Sequence, residues 1–127
     1  MPHAAENLAV TLQVGPAGPA LVTASGELDY HTGPQLRACL DDVPLASGAA
    51  LVLDLSGITY CDSTGVSVLA DAYRRTEAAG GTLALAGATP SVFRLLTFTG
   101  LDRLFTSYDS VEAALSALTA LPRSIVA

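Results

Sequence analysis

The chain has 127 residues, of which 50% are hydrophobic and 14% are charged, as is typical of one domain with a single core. Twelve acidic residues against six arginines give a net charge of −6, so we expect no direct contact with nucleic acid, and any role in transcription would act through a protein partner. The apolar runs are too short to span a membrane and no secretory leader is visible, so the expected location is the cytoplasm.

The first elements of the chain are predicted to be two strands joined by a turn. Over residues 8–14 apolar residues alternate with small or polar ones, which is the period-two pattern of a half-buried strand. Residues 15–19, with two glycines and two prolines, predict a turn, and residues 20–25 predict the partner strand of a hairpin. Residues 26–29 (Gly-Glu-Leu-Asp) are expected to end that strand.

A first helix is predicted to follow the hairpin. It is expected to begin near Thr32 or Gly33, because Pro34 then lies in the first turn, where its missing N–H leaves no bond unmade. It is expected to end near residues 41–42, which are both aspartates, because a negative charge is unfavourable at a helix C-terminus.

The strongest strand prediction is Ala50–Leu55. Nearly every residue in it is apolar, as expected for a central strand that is covered on both faces. Residues 56–61 are expected to connect this strand to the motif Asp62-Ser63-Thr64-Gly65. A helix is predicted to begin near Val66, because apolar residues then recur with helical spacing as far as residue 73, and glycines 80–81 are expected to end it.

The rest of the chain continues the alternation of strands and helices. Residues 82–87 predict a short buried strand, and residues 89–91 (Thr-Pro-Ser) predict the start of a helix that Gly100 closes. Residues 104–108 predict a last short strand, and Ser110 is expected to cap a terminal helix.

This order, β-β-α-β-α-β-α-β-α, predicts one α/β domain over residues 1–127, with a core at about residues 8–120 and loose ends. An opening hairpin followed by β-α alternation implies a mixed sheet of about five strands with about four helices. Cys39 and Cys61 are far apart in a chain without a leader, so we expect them to be buried small hydrophobes rather than a disulfide or metal ligands.

Two kinds of enzyme chemistry are not favoured. A nucleophilic Ser63 would need a base, but the histidines are His3, in an expected loose end, and His31, and the glycine that a nucleophile elbow needs two residues earlier is absent. Asp54 lies where a phospho-aspartate receiver domain keeps its acceptor, but by analogy that chemistry also needs an acidic pair after the first strand and a lysine, and both are missing. We therefore expect a binding module that is not an enzyme and has no cofactor or metal, with Asp54 bonded to loop backbone N–H groups at the end of its strand.

Taken alone, the motif Asp62-Ser63-Thr64-Gly65 leaves two interpretations open. Asp and Ser are favoured helix caps, so the four residues are compatible with a purely structural helix start. A serine hydroxyl at a helix N-terminus is also well placed to be exposed and to accept a phosphate.

The segments around the motif favour the second interpretation. The chain resembles the STAS domain family, specifically the small stand-alone bacterial anti-sigma factor antagonists, over about residues 8–120. The stretches that carry the resemblance are residues 26–29, residues 51–65 with the Asp-Ser-Thr-Gly motif, and residues 99–105 with Thr-Gly-Leu and Leu-Phe.

The resemblance implies a phosphorylation-controlled partner switch. In that family a partner that is both anti-sigma factor and serine kinase phosphorylates the serine of the motif, which is Ser63 here, and a PP2C-type phosphatase removes the phosphate. The unphosphorylated form binds the anti-sigma factor and so frees the sigma factor. The residues that would share the partner-facing surface with Ser63 are Glu27, Asp29, Asp62, Thr64 and Gly65.

Further expectations concern three residues of the motif region, the oligomeric state and an alternative function. A larger side chain at Gly65 should impair docking with little loss of stability. Cys61 replaces a bulkier apolar residue of the family and should affect packing but not the site, and Thr64 is left open as a second, minor acceptor. The free protein is expected to be a monomer, and the alternative function is a STAS scaffold or transport-system subunit without a phospho-switch.

Overall fold

Five strands form one mixed sheet in the computed structural model, which describes residues 8–14, 18–45 and 48–119. The strands are β1 (Leu8–Gln13), β2 (Ala20–Leu28), β3 (Ala50–Cys61), β4 (Thr82–Ala86) and β5 (Thr106–Tyr108). Their order in the sheet is their order in the chain, with β1 antiparallel to β2 and every later pair parallel. The predicted mixed α/β sheet is therefore confirmed. Residues 15–17 of the predicted turn and the predicted loose ends, 1–7 and 120–127, lie outside the described residues.

The predicted helices are also confirmed. They are α1 (Gly33–Asp41), α2 (Ser63–Ala78), α3 (Pro90–Thr99) and α4 (Val111–Thr119), with a 3-10 turn at Leu101–Arg103 that is too short for periodicity to predict. Thr89 caps α3 and Ser110 caps α4, each through a side-chain oxygen that accepts a backbone N–H. Gly100 ends α3 in the left-handed conformation at φ 81°. No helix among the described residues is long and apolar enough to cross a membrane.

The two faces of β3 belong to two different apolar clusters. Leu53 and its same-face neighbours pack with α1, α2 and α3, whereas Val52 packs with α4 through Ala114. Successive side chains of a strand point to opposite faces, so α4 lies on the other side of the sheet from the first three helices. This arrangement confirms that β3 is a central strand covered on both faces.

β2 ends at Leu28, within the predicted end at residues 26–29, but β3 runs further than the sequence predicts, because its parallel pairing with β2 continues through two register shifts. β3 has one more residue than β2 between the pairs Thr23–Asp54 and Ser25–Gly57, and again between Gly26–Ile58 and Glu27–Tyr60. These shifts break the alternation of apolar and polar residues. The prediction that residues 56–61 form a connection is therefore wrong, and β3 reaches Cys61.

Asp54 lies at the first of these register shifts. Its Oδ1 accepts the backbone N–H of Ser56 at 3.0 Å, so the predicted bond to a nearby N–H forms, but within β3 and not in a loop at the strand end. A Cβ at Gly57 would lie 2.6 Å from the Cβ of Ser25, so β2 and β3 can approach this closely only because residue 57 is a glycine. The longer strands bring the carboxyl ends of β2 and β3 to the same edge of the sheet.

Candidate functional site

The carboxyl ends of β2 and β3 lie side by side and hold the motif residues next to the loop that follows β2. Glu27 is opposite Tyr60, Leu28 is opposite Cys61, and the N–H of Asp62 donates to the carbonyl of Leu28 at 3.2 Å. The structure therefore brings together the two segments, residues 27–29 and 62–65, that the sequence placed on one surface.

Asp62 is the N-cap of α2, and its role explains why Ser63 is left free. The backbone of Asp62 is extended, and its Oδ1 accepts the N–H of Gly65 at 3.1 Å. A carboxylate is favoured at this position because it satisfies an unpaired N–H and faces the positive end of the helix dipole. The helix begins at Ser63, three residues before the predicted start near Val66, because the cap is Asp62.

Ser63 is exposed, and its hydroxyl makes no hydrogen bond to any residue that the structure describes. It lies in the first turn of a 16-residue helix, where backbone N–H groups favour an anion. The neighbouring Thr64 is half-buried, and a side chain at Gly33 would meet its methyl group at 3.5 Å. Ser63 is therefore the hydroxyl of the motif that is open to a transferring enzyme.

Asp29 braces the loop after β2. Its Oδ1 accepts the N–H of His31 at 2.9 Å and that of Thr32 at 3.0 Å. The Thr32 hydroxyl, fully buried, accepts the N–H of Asp29 at 2.9 Å and donates to the carbonyl of Glu27 at 2.6 Å. The sequence pattern indicated Thr32 only as a helix start, although a short polar side chain three residues after Asp29 is the usual sign of such a turn.

The pKa of the Asp29 carboxyl reflects this bracing. Partial burial raises the pKa, whereas hydrogen bonds from the N–H groups of Thr32 and His31 and from the Thr32 hydroxyl lower it. The lowering is the larger effect, so the net shift is downward. A lowered pKa in the folded state means that the carboxylate stabilises the fold above its unfolded pKa of about 3.9, and that this contribution is lost as the pH falls through the folded value.

We predict that Asp29→Asn reduces stability more at neutral pH than in acid. Asn keeps the shape and an acceptor oxygen but loses the charge, so the free energy of unfolding at pH 7 should fall by about 1 kcal/mol. Urea denaturation at pH 7 and pH 3 measures the gap between variant and wild type. The gap should be smaller at pH 3 than at pH 7, because the contribution of the carboxylate declines once the pH falls below its unfolded pKa of about 3.9. A gap of equal size at both pH values would contradict this role.

Gly65 is buried and Cys61 is half-buried, which corrects the expectation for Gly65. Gly65 is buried, and a Cβ there would meet the Cys61 Sγ at 2.7 Å, the Leu28 Cγ at 2.8 Å and the Leu28 carbonyl oxygen at 3.0 Å. The expectation that Gly65 lies on the partner-facing surface is therefore wrong. The Cys61 thiol lies beside the position of Gly65 and approaches the Asp62 carbonyl at 3.5 Å, and the expectation that residue 61 affects packing but not the site stays a prediction.

Neither cysteine is in a disulfide, and both are half-buried. Burial, with a smaller contribution from the charge of Asp62, raises the pKa of Cys61 to about 11, so it is a neutral thiol at pH 7. Among the described residues no group of three or more His, Cys, Asp and Glu side chains could hold a metal ion.

The site surface is acidic, because the ion pairs of the chain lie elsewhere. Arg37 binds Asp71 at 2.7 Å and Arg75 binds Asp41 at 3.1 Å, so these pairs connect α1 to α2. Arg74 also binds Asp71, and the hydrogen bond from Arg37 contributes most to lowering the pKa of that carboxyl. In the part of the chain that the structure describes, no ion pair engages Glu27, Asp29 or Asp62. The surface around Ser63 therefore presents negative charge without a neutralising arginine.

Sequence comparison finds relatives that align with most of this chain. It is 33% identical over 102 residues to an anti-sigma F factor antagonist of Paenibacillus polymyxa, covering 80% of this chain and 87% of that one. It is 38% identical over 81 residues to an anti-sigma-B factor antagonist of Bacillus subtilis, covering 63% of this chain and 72% of that one.

Solved structures share the fold. An anti-sigma factor antagonist from Mycobacterium paratuberculosis matches with a TM-score of 0.73 and 29% identity over 91% of this chain and 97% of that one. SpoIIAA matches at 22% identity in its unphosphorylated form (TM-score 0.72, 90% of this chain and 99% of that one) and in its phosphorylated form (TM-score 0.66, 87% and 99%). A sulfate transporter family protein from Wolinella succinogenes also matches (TM-score 0.71, 21% identity, 84% and 89%), so the fold alone does not separate these functions.

The family itself follows from the sequence and the topology together. The family model described as "STAS domain" matches residues 11–114. Of the strands and helices, this range leaves out the first three residues of β1 and the last five residues of α4. With its mixed sheet, its four helices and the motif at the start of α2, the chain belongs to the STAS domain family.

Proposed function

We propose that this protein is an anti-sigma factor antagonist that is switched by phosphorylation of Ser63. The unphosphorylated form binds an anti-sigma factor that is also a serine kinase, and binding releases a sigma factor. A PP2C-type phosphatase restores the active form, and the switch operates in the cytoplasm on a monomeric antagonist. The observation that carries the proposal is the exposed Ser63 hydroxyl, which is free of hydrogen bonds to the described residues because Asp62 caps the helix instead.

A phosphate on Ser63 should leave the fold intact. It adds roughly −1.5 to −2 charges at neutral pH, and the helix dipole favours a negative charge at the N-terminus of α2 by about 0.3–2 kcal/mol. Ser63 is exposed, so no core contact has to open to accommodate it. The modification should therefore act on the partner-facing surface and not on stability.

The phosphate should weaken binding for two reasons. Two unit negative charges about 5 Å apart repel each other by roughly 3 kcal/mol at an effective dielectric of about 20, and by less where water screens them. The surface already carries Glu27, Asp29 and Asp62, so a dianion adds to an existing negative field. A partner that docks closely must also desolvate the phosphate or supply cations to match it. A net loss of about 2–4 kcal/mol corresponds to roughly 30- to 1000-fold weaker binding.

The residues around Ser63 have different parts in this function. Glu27 is exposed and, with the half-buried Asp62 and Thr64, can contact the partner directly. Asp29 contributes charge while it holds the loop after β2 in place. Gly65 is buried and supports the surface indirectly, because the absence of a side chain lets the first turn of α2 pack directly against Leu28 and Cys61.

Phosphorylation at Ser63 is tested by mass spectrometry after incubation with the purified serine kinase and ATP. We expect one phosphate, on the peptide that contains residues 62–65. Ser63→Ala should abolish it, whereas Thr64→Val, which keeps the methyl group beside Gly33, should retain it. A phosphate that persists in Ser63→Ala would contradict the assignment. No phosphate on wild type would favour the alternative, a STAS scaffold or transport-system subunit without a phospho-switch.

A further inference from the structure

One face of α3 forms an open groove with the end of β3. Ser91, Arg94, Leu95 and Phe98 follow each other at helical spacing and line it from one side, and Cys61 lines it from the other. Its volume of about 290 Å³ is below the range of about 300–1,000 Å³ that is usual for small-molecule and cofactor sites. The groove is therefore suited to one or two side chains of another macromolecule.

Phe98 is exposed far beyond what the packing of α3 requires. The helix is held to the core by Val92 and Leu96, which are 1% and 0% exposed, whereas Phe98 is 87% exposed. A packed aromatic side chain buries roughly 150–250 Å² of surface, and a ring left in water forgoes most of that burial. A ring that contributes so little to the fold is available to a partner.

Arg94 adds an uncompensated positive charge to the same groove. Arg37, Arg74 and Arg75 are all engaged in ion pairs, but Arg94 is in none within the described residues. It is the basic residue among those that line the groove. In a chain of net charge −6, an unpaired arginine beside an exposed ring matches a partner surface with an acidic side chain next to an apolar pocket.

The groove is continuous with the surface around Ser63. Cys61 forms one wall of the groove, contacts the position of Gly65 and directly precedes Asp62 in the chain. A protein that docks on Ser63 with an interface of ordinary size covers about 800 Å² per partner, which is large enough to include the groove.

We propose that this groove is a second docking region for the serine kinase that binds at Ser63, an inference that rests on the proposed function. Phe98 inserts into an apolar pocket of the kinase, and Arg94 pairs with a carboxylate at its edge. Because the groove is separate from the Ser63 hydroxyl, it contributes equally to the encounter that phosphorylates Ser63 and to the complex of the unphosphorylated form. Phe98 is thus an anchor for recognition, and Ser63 is the switch.

The test compares Phe98→Ala with Phe93→Ala. Phe93 is on the same helix and 46% exposed, but it lies in a different groove, beside Tyr108. With the purified serine kinase as probe, we expect Phe98→Ala to bind at least about tenfold more weakly and Phe93→Ala to change affinity by less than about twofold. Arg94→Glu should weaken binding in the same direction as Phe98→Ala. Thermal unfolding verifies that each variant is folded.

Phosphorylation kinetics give a second readout. Loss of an anchor that acts equally on substrate binding and on the transition state raises KM and leaves kcat unchanged, so Phe98→Ala should raise the KM for Ser63 phosphorylation at least about tenfold. If Ser63→Asp weakens kinase binding but Phe98→Ala and Phe93→Ala behave alike, the groove inference is overturned and the proposed function stands. If wild type itself does not bind the kinase, both are overturned. If wild type self-associates in sedimentation and Phe98→Ala does not, the occupant is a second copy, and the inference is overturned in favour of a dimer.

Discussion

Ser63→Asp is expected to bind the serine kinase about 10- to 100-fold more weakly than wild type, and Ser63→Ala is expected to bind it as tightly as the unphosphorylated chain. Aspartate places one negative charge where the phosphate would place nearly two, on a surface that already carries Asp62 and Glu27. Alanine removes the acceptor without adding charge. Because the Ser63 hydroxyl has no hydrogen bond to a described residue, its loss should leave the fold unaffected.

Isothermal titration of the purified kinase with each variant measures this difference. Ser107→Asp is the matched control, because Ser107 is also exposed but lies on β5, two strands away from β3 in the sheet. It should bind like wild type. Equal affinities for Ser63→Ala and Ser63→Asp would contradict a charge-controlled surface, and an equal loss in Ser107→Asp would assign the effect to net charge instead of to position.

Because Gly65 is buried, we replace the expectation of little loss of stability: Gly65→Ala should lower the free energy of unfolding by about 1–3 kcal/mol, the range for overpacking a tightly packed site. Alanine is a better helix former than glycine by roughly 1 kcal/mol, so a net loss requires the clash to outweigh that gain. The new methyl group would lie 3.0 Å or less from the Leu28 backbone oxygen, the Leu28 Cγ and the Cys61 Sγ. A backbone oxygen held in a strand cannot move aside as the end of a flexible side chain can.

Gly33→Ala is the control for Gly65→Ala. Gly33 is also buried in a first helical turn, but a Cβ there would make ordinary contacts at 3.4 Å and 3.5 Å, so its stability should be equal to or above that of wild type. Thermal unfolding should show a melting temperature several degrees lower for Gly65→Ala alone. Adding Cys61→Ala should recover part of the loss, because it removes the closest of the three contacts. Equal melting temperatures for the two glycine variants would contradict the packing role of Gly65.

The sequence predicted the elements of the fold well because its apolar pattern agrees with its capping and turn residues. Thr89 and Gly100 bound α3, and Ser110 caps α4, through interactions within a few residues of the chain. Residues 56–61 could not be assigned in the same way. Their membership in β3 depends on register shifts against β2, which are set by pairing with a segment about thirty residues earlier.

The position of the candidate site was predictable from the sequence, but which of its residues are exposed and which are buried was not. The family resemblance implied that residues 27–29 and 62–65 meet, and they do so because the parallel strands β2 and β3 bring their carboxyl ends together. The burial of Gly65 could not be predicted, because the sequence alone does not distinguish a glycine in an exposed loop from a glycine packed against a neighbouring strand. The bracing role of Thr32 and the groove beside Phe98 also depend on contacts between distant segments.

The most direct test of the switch uses the phosphate itself. The wild-type chain, phosphorylated on Ser63 and verified by mass spectrometry to carry one phosphate, is titrated with the kinase before and after treatment with a PP2C-type phosphatase. We expect affinity at least about 30-fold lower with the phosphate, full recovery after its removal, and an unchanged circular dichroism spectrum throughout. Equal affinity of the phosphorylated and dephosphorylated chains would contradict the account.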